Sequence, residues 1–449
     1  MVRDRKEIGM ICRLSTRKIL VIGDLMLDTY TIGKASRISP EAPVAVIQVL
    51  REESRPGGAG NVILNLRSLG AQVAVISRIG TDSSSDSLRE ALIEEKVDTT
   101  GLFVQHGYST PLKNRVIADN QQIVRVDHER VTPLPEMLEQ QIIESLPAHM
   151  EGIEAVAISD YGKGFLSKTL LNAIIEQAKS RNIPLITDPK GVDFNKYFGT
   201  TVIKPNLSEA YAAAGLLPDA SLDLAAQRIL ELTNAQTLMV TRSESGISIF
   251  HQNGEREDFP VRAHEIKDVT GAGDTVLAML TYAAANGFTI AEAAQLCNVA
   301  AGIAIERFGC ARVSLSDLAR RLLEINVKNK VFEEEHLFAL QEALKEREYI
   351  ILGLSESEGM TPFVFSTIHR LAKNKEQDLV IFLRRSAQDE DFVEILSALH
   401  DVKFVVVQSE LATDLFKLVL PAETYVLTGK TLSQLTSPPD LLALSKDLG

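Results

Sequence analysis

Short β-branched runs alternate with helical patterns along most of the chain. Lys18–Gly23, Glu154–Ser159, Ile183–Thr187, Thr201–Lys204 and Thr237–Thr241 are apolar through their centres, which predicts strands buried on both faces. Between them, Leu166–Lys179, Leu207–Ala214 and Leu222–Leu232 carry apolar residues at helical spacing. This alternation predicts a mainly parallel sheet with helices on both faces. Two segments break the rhythm. Val44–Leu50 and Leu112–Val126 read as strands without crossover helices, the second with a turn at Asp119–Asn120. They suit a small second sheet lying as a lid over an active site. The polar stretch Ile325–Glu335 follows the last long helix and predicts a boundary between a first domain, 1–328, and a second, 329–449. Beyond it, strands near Tyr349–Leu352, Leu379–Leu383, Phe404–Val407 and Thr424–Leu427 repeat the α/β rhythm with helices between.

Length and charge agree with this division. A chain of 449 residues exceeds one ordinary core, and 45% hydrophobic with 24% charged residues is the balance of a globular protein. The formal charge of −13 disfavours nucleic acid as a partner but leaves room for a local basic pocket. The three cysteines (Cys12, Cys297, Cys310) are far apart and form no CxxC, so neither a disulfide framework nor a zinc site is expected. The eight histidines show no metal-ligand spacing. No run approaches the ~18 apolar residues of a membrane span, and the apolar stretch Ile8–Cys12 is too short for a signal peptide. A cytoplasmic protein without a membrane partner is expected.

Candidate chemistry centres on Asp268-Val269-Thr270-Gly271-Ala272-Gly273-Asp274-Thr275, which opens an apolar helical run. Two glycines permit close backbone approach, and the unpaired N–H groups of a helix start bind anions. Gly271, Ala272 and Gly273 would face a transferring phosphoryl group, and Asp274 sits where a carboxylate takes a proton from an attacking hydroxyl. A second cluster, Arg55-Pro56-Gly57-Gly58-Ala59-Gly60-Asn61, also leads into a helix. Gly57 and Gly58 allow a ligand against bare backbone, and Asn61 offers donor and acceptor to hydroxyls. Asp24 ends the first strand, the position where ligands sit in open parallel sheets. Thr428-Gly429-Lys430-Thr431 ends like a P-loop, but Thr424 stands where that motif needs glycine, so it is rejected.

The GAGD helix, the earlier GGAGN helix and Asn206-Leu207-Ser208-Glu209 (NxxE) together resemble the PfkB, or ribokinase-like, sugar kinases over roughly Lys18 to Leu318. The resemblance implies a ribokinase-like α/β fold with a β lid, ATP and Mg²⁺ as cofactors, Asp274 as base and the glycine amides as anion hole. It implies that Asn206 and Glu209 organise Mg²⁺ and phosphates, that Asp24 and Asn61 hold substrate hydroxyls, and that Thr241 to Gly246 runs beside the nucleotide. Asn298 would lie near the adenine, and Asp268 with Thr270 would contribute to a site for a monovalent cation, K⁺. A homodimer joined through the lid strands is also implied.

A narrower resemblance rests on SRISPEAPV (36–44), NQQIVRVD (120–127), SDYGKG (159–164) and DPKG (188–191). These segments are similar to the heptose 7-phosphate kinase of lipopolysaccharide-precursor synthesis. That family phosphorylates the anomeric hydroxyl of D-glycero-D-manno-heptose 7-phosphate to the 1,7-bisphosphate. A phosphorylated sugar needs cations, and Arg37, Lys113, Arg115, Arg125 and Lys163 fall on the lid and substrate loops, with Lys190 assigned to the nucleotide. The tail resembles, in rhythm, the adenylyltransferase fused to many such kinases. The His-x-Gly-His of that class is missing: Leu354–Pro362 reads LSESEGMTP, with Glu356 and Glu358 repelling a triphosphate. A degenerate nucleotidyltransferase-like domain without that activity is therefore expected. A kinase for another sugar or sugar phosphate, and a catalytically silent scaffold, are the competing readings.

Overall fold

The computed structural model describes residues 6–119, 121–261, 266–307, 309–325, 330–333, 336–354, 359–373, 377–384, 390–408 and 420–435. Its contacts divide the chain into two compact units. One is Ser15–Ser314; the other joins the residues up to Leu14 with those from Leu315 onward.

The larger unit is built on a nine-stranded sheet. Its strands are β1 (Lys18–Gly23), β4 (Gln72–Ile79), β5 (Asp98–Val104), β8 (Ala155–Ser159), β9 (Leu185–Asp188), β10 (Val202–Ile203), β11 (Thr237–Thr241), β12 (Ile247–His251) and β13 (Arg256–Phe259). They lie in the order β13-β12-β11-β10-β9-β8-β1-β4-β5, parallel from β11 to β5, with β12 and β13 added antiparallel. Every residue of β8 is buried, as a strand covered on both faces requires. Helix Lys168–Ser180 covers the sheet with Leu170, Leu171, Ile174, Ile175 and Ala178, one stripe at helical spacing.

The lid is a four-stranded sheet of β2 (Leu25–Ile38), β3 (Ala45–Gly58), β6 (Leu112–Ala118) and β7 (Gln121–His128), in the order β3-β2-β6-β7. β2 follows β1 with only Asp24 between, so the lid grows directly from the C-terminal end of a central strand. Asp119, at a left-handed φ of 51°, turns the chain between β6 and β7, while Asn120 lies outside the described residues. Ile38, Val44, Val49, Leu50, Ile123 and Val124 leave apolar surface exposed around the lid.

The smaller unit holds a six-stranded sheet of β14 (Val331–Phe332), β15 (Tyr349–Leu354), β16 (Asp378–Arg384), β17 (Phe404–Gln408), β18 (Glu423–Thr428) and β19 (Thr431–Leu435). The order is β14-β17-β16-β15-β18-β19, all parallel except the β18–β19 hairpin. Thr428 and Thr431 pair across that hairpin and Gly429 turns it at φ 64°, so the P-loop-like run is a β-turn. Helix Leu315–Ile325 belongs to this unit, not to the first domain as its place before the polar stretch suggests, because it packs on Lys6–Cys12 and Leu337–Leu344. Glu356 and Glu358 lie outside the described residues. No helix among the described residues is long and apolar enough to cross a membrane.

Candidate active site

Helix Ala272–Ala285 starts from Gly271, held at φ 78°, and every residue from Asp274 to Ala283 is buried. A Cβ on Gly271 would lie 2.7 Å from Asn61 Nδ2, so a larger residue cannot stand there without moving that amide. Asp274, in the first helical turn, accepts hydrogen bonds on both oxygens. Asn61 Nδ2 donates to Oδ2 at 2.8 Å and the Tyr161 hydroxyl to Oδ1 at 2.6 Å. Burial pushes the Asp274 pKa above its ordinary value, and the bonds from Asn61 and Tyr161, with the charge of Lys204, offset part of that rise. The result is a buried carboxylate in a fixed orientation, suited to accept a proton from a hydroxyl brought against it.

Asp24, between β1 and β2, is held by the loop after β8 that also carries Tyr161. Its Oδ2 accepts from the backbone N–H groups of Tyr161 and Lys163, at 3.0 and 3.1 Å, while Oδ1 is buried without a partner among the described residues. Burial, then the nearby Asp160 charge, raises its pKa against the pull of those two amides. An acceptor left open in this way fits a ligand hydroxyl. Gly58, at φ 58°, admits the Asp24 carbonyl, which a Cβ there would approach to 2.6 Å. The space above Gly57 is taken by the Asp28 carboxylate, 2.1 Å from where a Cβ would be; its bareness serves that packing. Asp28 pairs with Arg115 at 2.6 Å. Asn61 is buried, and its amide nitrogen is turned toward Asp274.

The expected cations separate. Lys163 Nζ lies 2.6 Å from Glu129, and Lys113 reaches the same carboxylate at 3.8 Å. Arg125 forms a two-pronged pair with Asp127, at 2.8 and 2.9 Å, on the exposed strand β7.

On the other side of the sheet ends, Asn206 and Glu209 form a reciprocal cap on helix Leu207–Ala214. The second Glu209 oxygen accepts from Lys190 Nζ at 2.7 Å. Thr241 bridges to Asn206 at the end of β11. Gly246, at φ 81°, gives room to the Phe259 carbonyl, which also accepts from Asn298 Nδ2 at 2.8 Å. Thr270 donates its amide and hydroxyl to Asp268 Oδ1, at 2.9 and 2.7 Å, and Gly309 N–H donates to Oδ2 at 2.9 Å. Burial raises the Asp268 pKa, but these donors outweigh it and hold the carboxyl below its ordinary value. Among the described residues no group of three or more His, Cys, Asp or Glu could hold a metal ion.

Several site residues were not singled out from the sequence. Buried Lys204 pairs with Asp188 at 3.0 Å, beneath the GAGD turn. Burial pushes the Asp188 pKa up to about 7 against the pull of Lys204. The signal was a lysine closing an otherwise apolar strand, just before Pro205. Tyr161 and Asp160 stood inside the SDYGKG segment, but nothing in spacing could place the phenol on Asp274.

These elements, a helix start carrying the buried Asp274 and the strand-end Asp24, both bonded to the loop after β8, agree with the comparison to known families. The model described as pfkB family carbohydrate kinase matches residues 16–318. The chain belongs to that family. The fold and the family together make this segment an ATP-dependent sugar kinase, and the family implies a divalent metal ion. A "Bifunctional protein HldE" of Trichlorobacter lovleyi is 48% identical over 318 residues, 70% of this chain and 65% of that relative. Its namesake from Geobacter sulfurreducens is 45% identical over 322 residues, 71% of this chain and 66% of the relative. The kinase thus spans slightly less than two thirds of the length of these relatives. Among solved structures, phosphofructokinase-2 from Escherichia coli in complex with potassium has a TM-score of 0.56 at 20% identity, covering 69% of this chain and 99% of that one. Arabidopsis thaliana ribokinase complexed with ribose and ATP has 0.54 at 16%, covering 69% and 99%. At these identities the likeness is one of fold.

Proposed function

We propose that the kinase phosphorylates the anomeric hydroxyl of D-glycero-D-manno-heptose 7-phosphate, giving the 1,7-bisphosphate. The observation that carries the reading is the open, buried Oδ1 of Asp24, whose other oxygen is held by the amides of the loop that also carries the Tyr161 hydroxyl to Asp274. Asp24 accepts from a sugar hydroxyl, and Asp274 takes the proton of the attacking oxygen as the new P–O bond forms and the bond to ADP breaks. The N–H groups at the start of helix Ala272–Ala285 receive the negative charge of the transferred group. Lys163 and Lys113, which share Glu129, supply positive charge for the distal phosphate of the sugar.

Thr241, Gly246 and Asn298 border the nucleotide in this reading, with Lys190 near its phosphates. A bound Mg²⁺ would neutralise phosphate oxygens. Glu209 has both oxygens in hydrogen bonds to Asn206 and Lys190, so it fits an indirect role, through water. Asp268 locks its turn, with one oxygen accepting from Thr270 and the other from Gly309. The smaller unit carries no adenylyltransferase activity in this proposal, because LSESEGMTP lacks histidine. The apolar lid surface would pair with a second copy, which sedimentation in solution reads directly.

The test is an ATP-to-ADP assay on the purified chain with the heptose 7-phosphate, ribose, fructose 6-phosphate and no sugar, products identified by mass. A heptose bisphosphate supports the proposal. Turnover of another sugar alone would keep the kinase and remove the heptose assignment. Adenylyl transfer to a heptose 1-phosphate would overturn the reading of the smaller unit.

A further inference from the structure

Three side chains from three separate segments meet at the base: Asp274 from its helix start, Asn61 from helix Ala59–Ser68, and Tyr161 from the loop after β8. The phenol has no part in the transfer described above. Its loop is fixed from several sides. Asp160 Oδ1 accepts from Gly162 N–H at 2.7 Å, and Oδ2 from the Tyr197 hydroxyl at 2.7 Å and Lys196 at 2.5 Å. The Tyr161 and Lys163 amides hold Asp24. The Lys163 carbonyl accepts from the buried Arg78 guanidinium at 2.7 Å, which also holds the Thr132 carbonyl at 2.6 Å and Gln105 at 2.8 Å. A phenol mounted on such a loop has little freedom to leave the carboxylate.

We propose that Tyr161 is a positioning residue for the base: by donating to Oδ1 while Asn61 donates to Oδ2, it fixes the plane of the Asp274 carboxylate and links it, through one rigid loop, to the sugar-side Asp24. This rests on the reading of Asp274 as the base. The terminal torsion of aspartate is broad, so one donor alone leaves the carboxylate free to rotate, whereas donors on both oxygens set its plane. The bond also favours the ionised carboxylate in a buried place. Tyr161 cannot itself be the base. Burial, reinforced by the Asp274 charge, holds its phenol pKa well above 10, so it stays a donor at any working pH.

The experiment is Tyr161→Phe, which keeps the ring, assayed for kcat and KM from pH 5 to 9 beside Asp274→Asn, with melting curves for all. The sugar is the one turned over in the substrate panel. The Phe variant should lose about 10-fold in kcat with KM for ATP nearly unchanged, and its acid limb should move up by about one pH unit, as loss of a hydrogen bond to a charged group implies. Replacing Tyr161 by 3-fluorotyrosine, a stronger donor, should move the limb down, a response that packing alone would not give. An unmoved limb in both proteins, with Asp274→Asn inactive, overturns the positioning role and leaves the base intact. Full activity in Asp274→Asn would remove both. If the Phe variant does not fold, the fluorotyrosine limb decides the matter alone.

Discussion

Gly271 and Gly273 stand two residues apart, and the structure predicts opposite consequences for filling them. In Gly271→Ala the alanine must keep the backbone at φ 78°, and its methyl lands 2.7 Å from Asn61 Nδ2 and 3.3 Å from Cys310 Sγ. The left-handed backbone costs roughly 1–2 kcal/mol. Displacing the Asn61 amide also weakens its bond to the Asp274 carboxylate, of a kind worth about 1.5–3 kcal/mol. A melting temperature lower by about 5–10 °C, with kcat reduced about 10-fold or more, is expected. Gly273 has no such constraint: the nearest atom to its Cβ is Lys204 Nζ at 3.9 Å, and it lies within the helix. Gly273→Ala should leave stability unchanged or raise it by up to about 1 kcal/mol. On the proposed reading its methyl would stand where the phosphoryl group approaches, so kcat should still fall, by about 100-fold if one anion-hole contact is lost. Calorimetry and steady-state kinetics on both variants separate the effects. Gly273→Ala with full kcat would show that the transferred group does not lie against this turn. Gly271→Ala melting like the parent would refute the Asn61 contact.

Two further outcomes follow from the charged groups. Lys163→Ala should raise KM for the phosphorylated sugar by about 10-fold, as loss of a charge-assisted bond implies, and leave KM for ATP unchanged; equal effects on both would place Lys163 elsewhere. Asp188, with its pKa raised to about 7, binds its proton more tightly folded than unfolded, so its contribution to stability is present below the ordinary 3.8 and lost as pH rises toward 7. Melting temperature should therefore fall less across pH 4–7 in Asp188→Asn than in the parent; identical slopes would remove this linkage.

The alternation of strands and helices was legible because each buried strand is a short continuous apolar run and each covering helix a single stripe. Leu207–Ala214 is bounded as read, since its cap Asn206 and its left-handed Gly215 are both visible in sequence. β2 escaped because its first half is buried and its second half exposed, so no single period marks it. β14 is two residues long, and β19 follows a run that resembles a nucleotide motif. Asp274 was legible from its helix start, but its partners were not. Tyr161 lies 113 positions away, and only the β8 loop brings it to 2.6 Å. Asn61 shows the same limit from the other side. Its residue type suggested hydrogen bonding, but only the fold shows that its amide reaches Asp274. The units divide before Leu315–Ile325, because that helix packs on Lys6–Cys12, remote in sequence, as well as on Leu337–Leu344 just beyond it.

The most direct measurement compares Asp274→Asn with the parent in the ATP-to-ADP assay, at saturating sugar and with the phosphorylated product identified by mass. As the general base, Asp274 should account for about 10²–10⁴ in turnover, with ATP binding and melting temperature little changed. Turnover within a few-fold of the parent would contradict the assignment of the base.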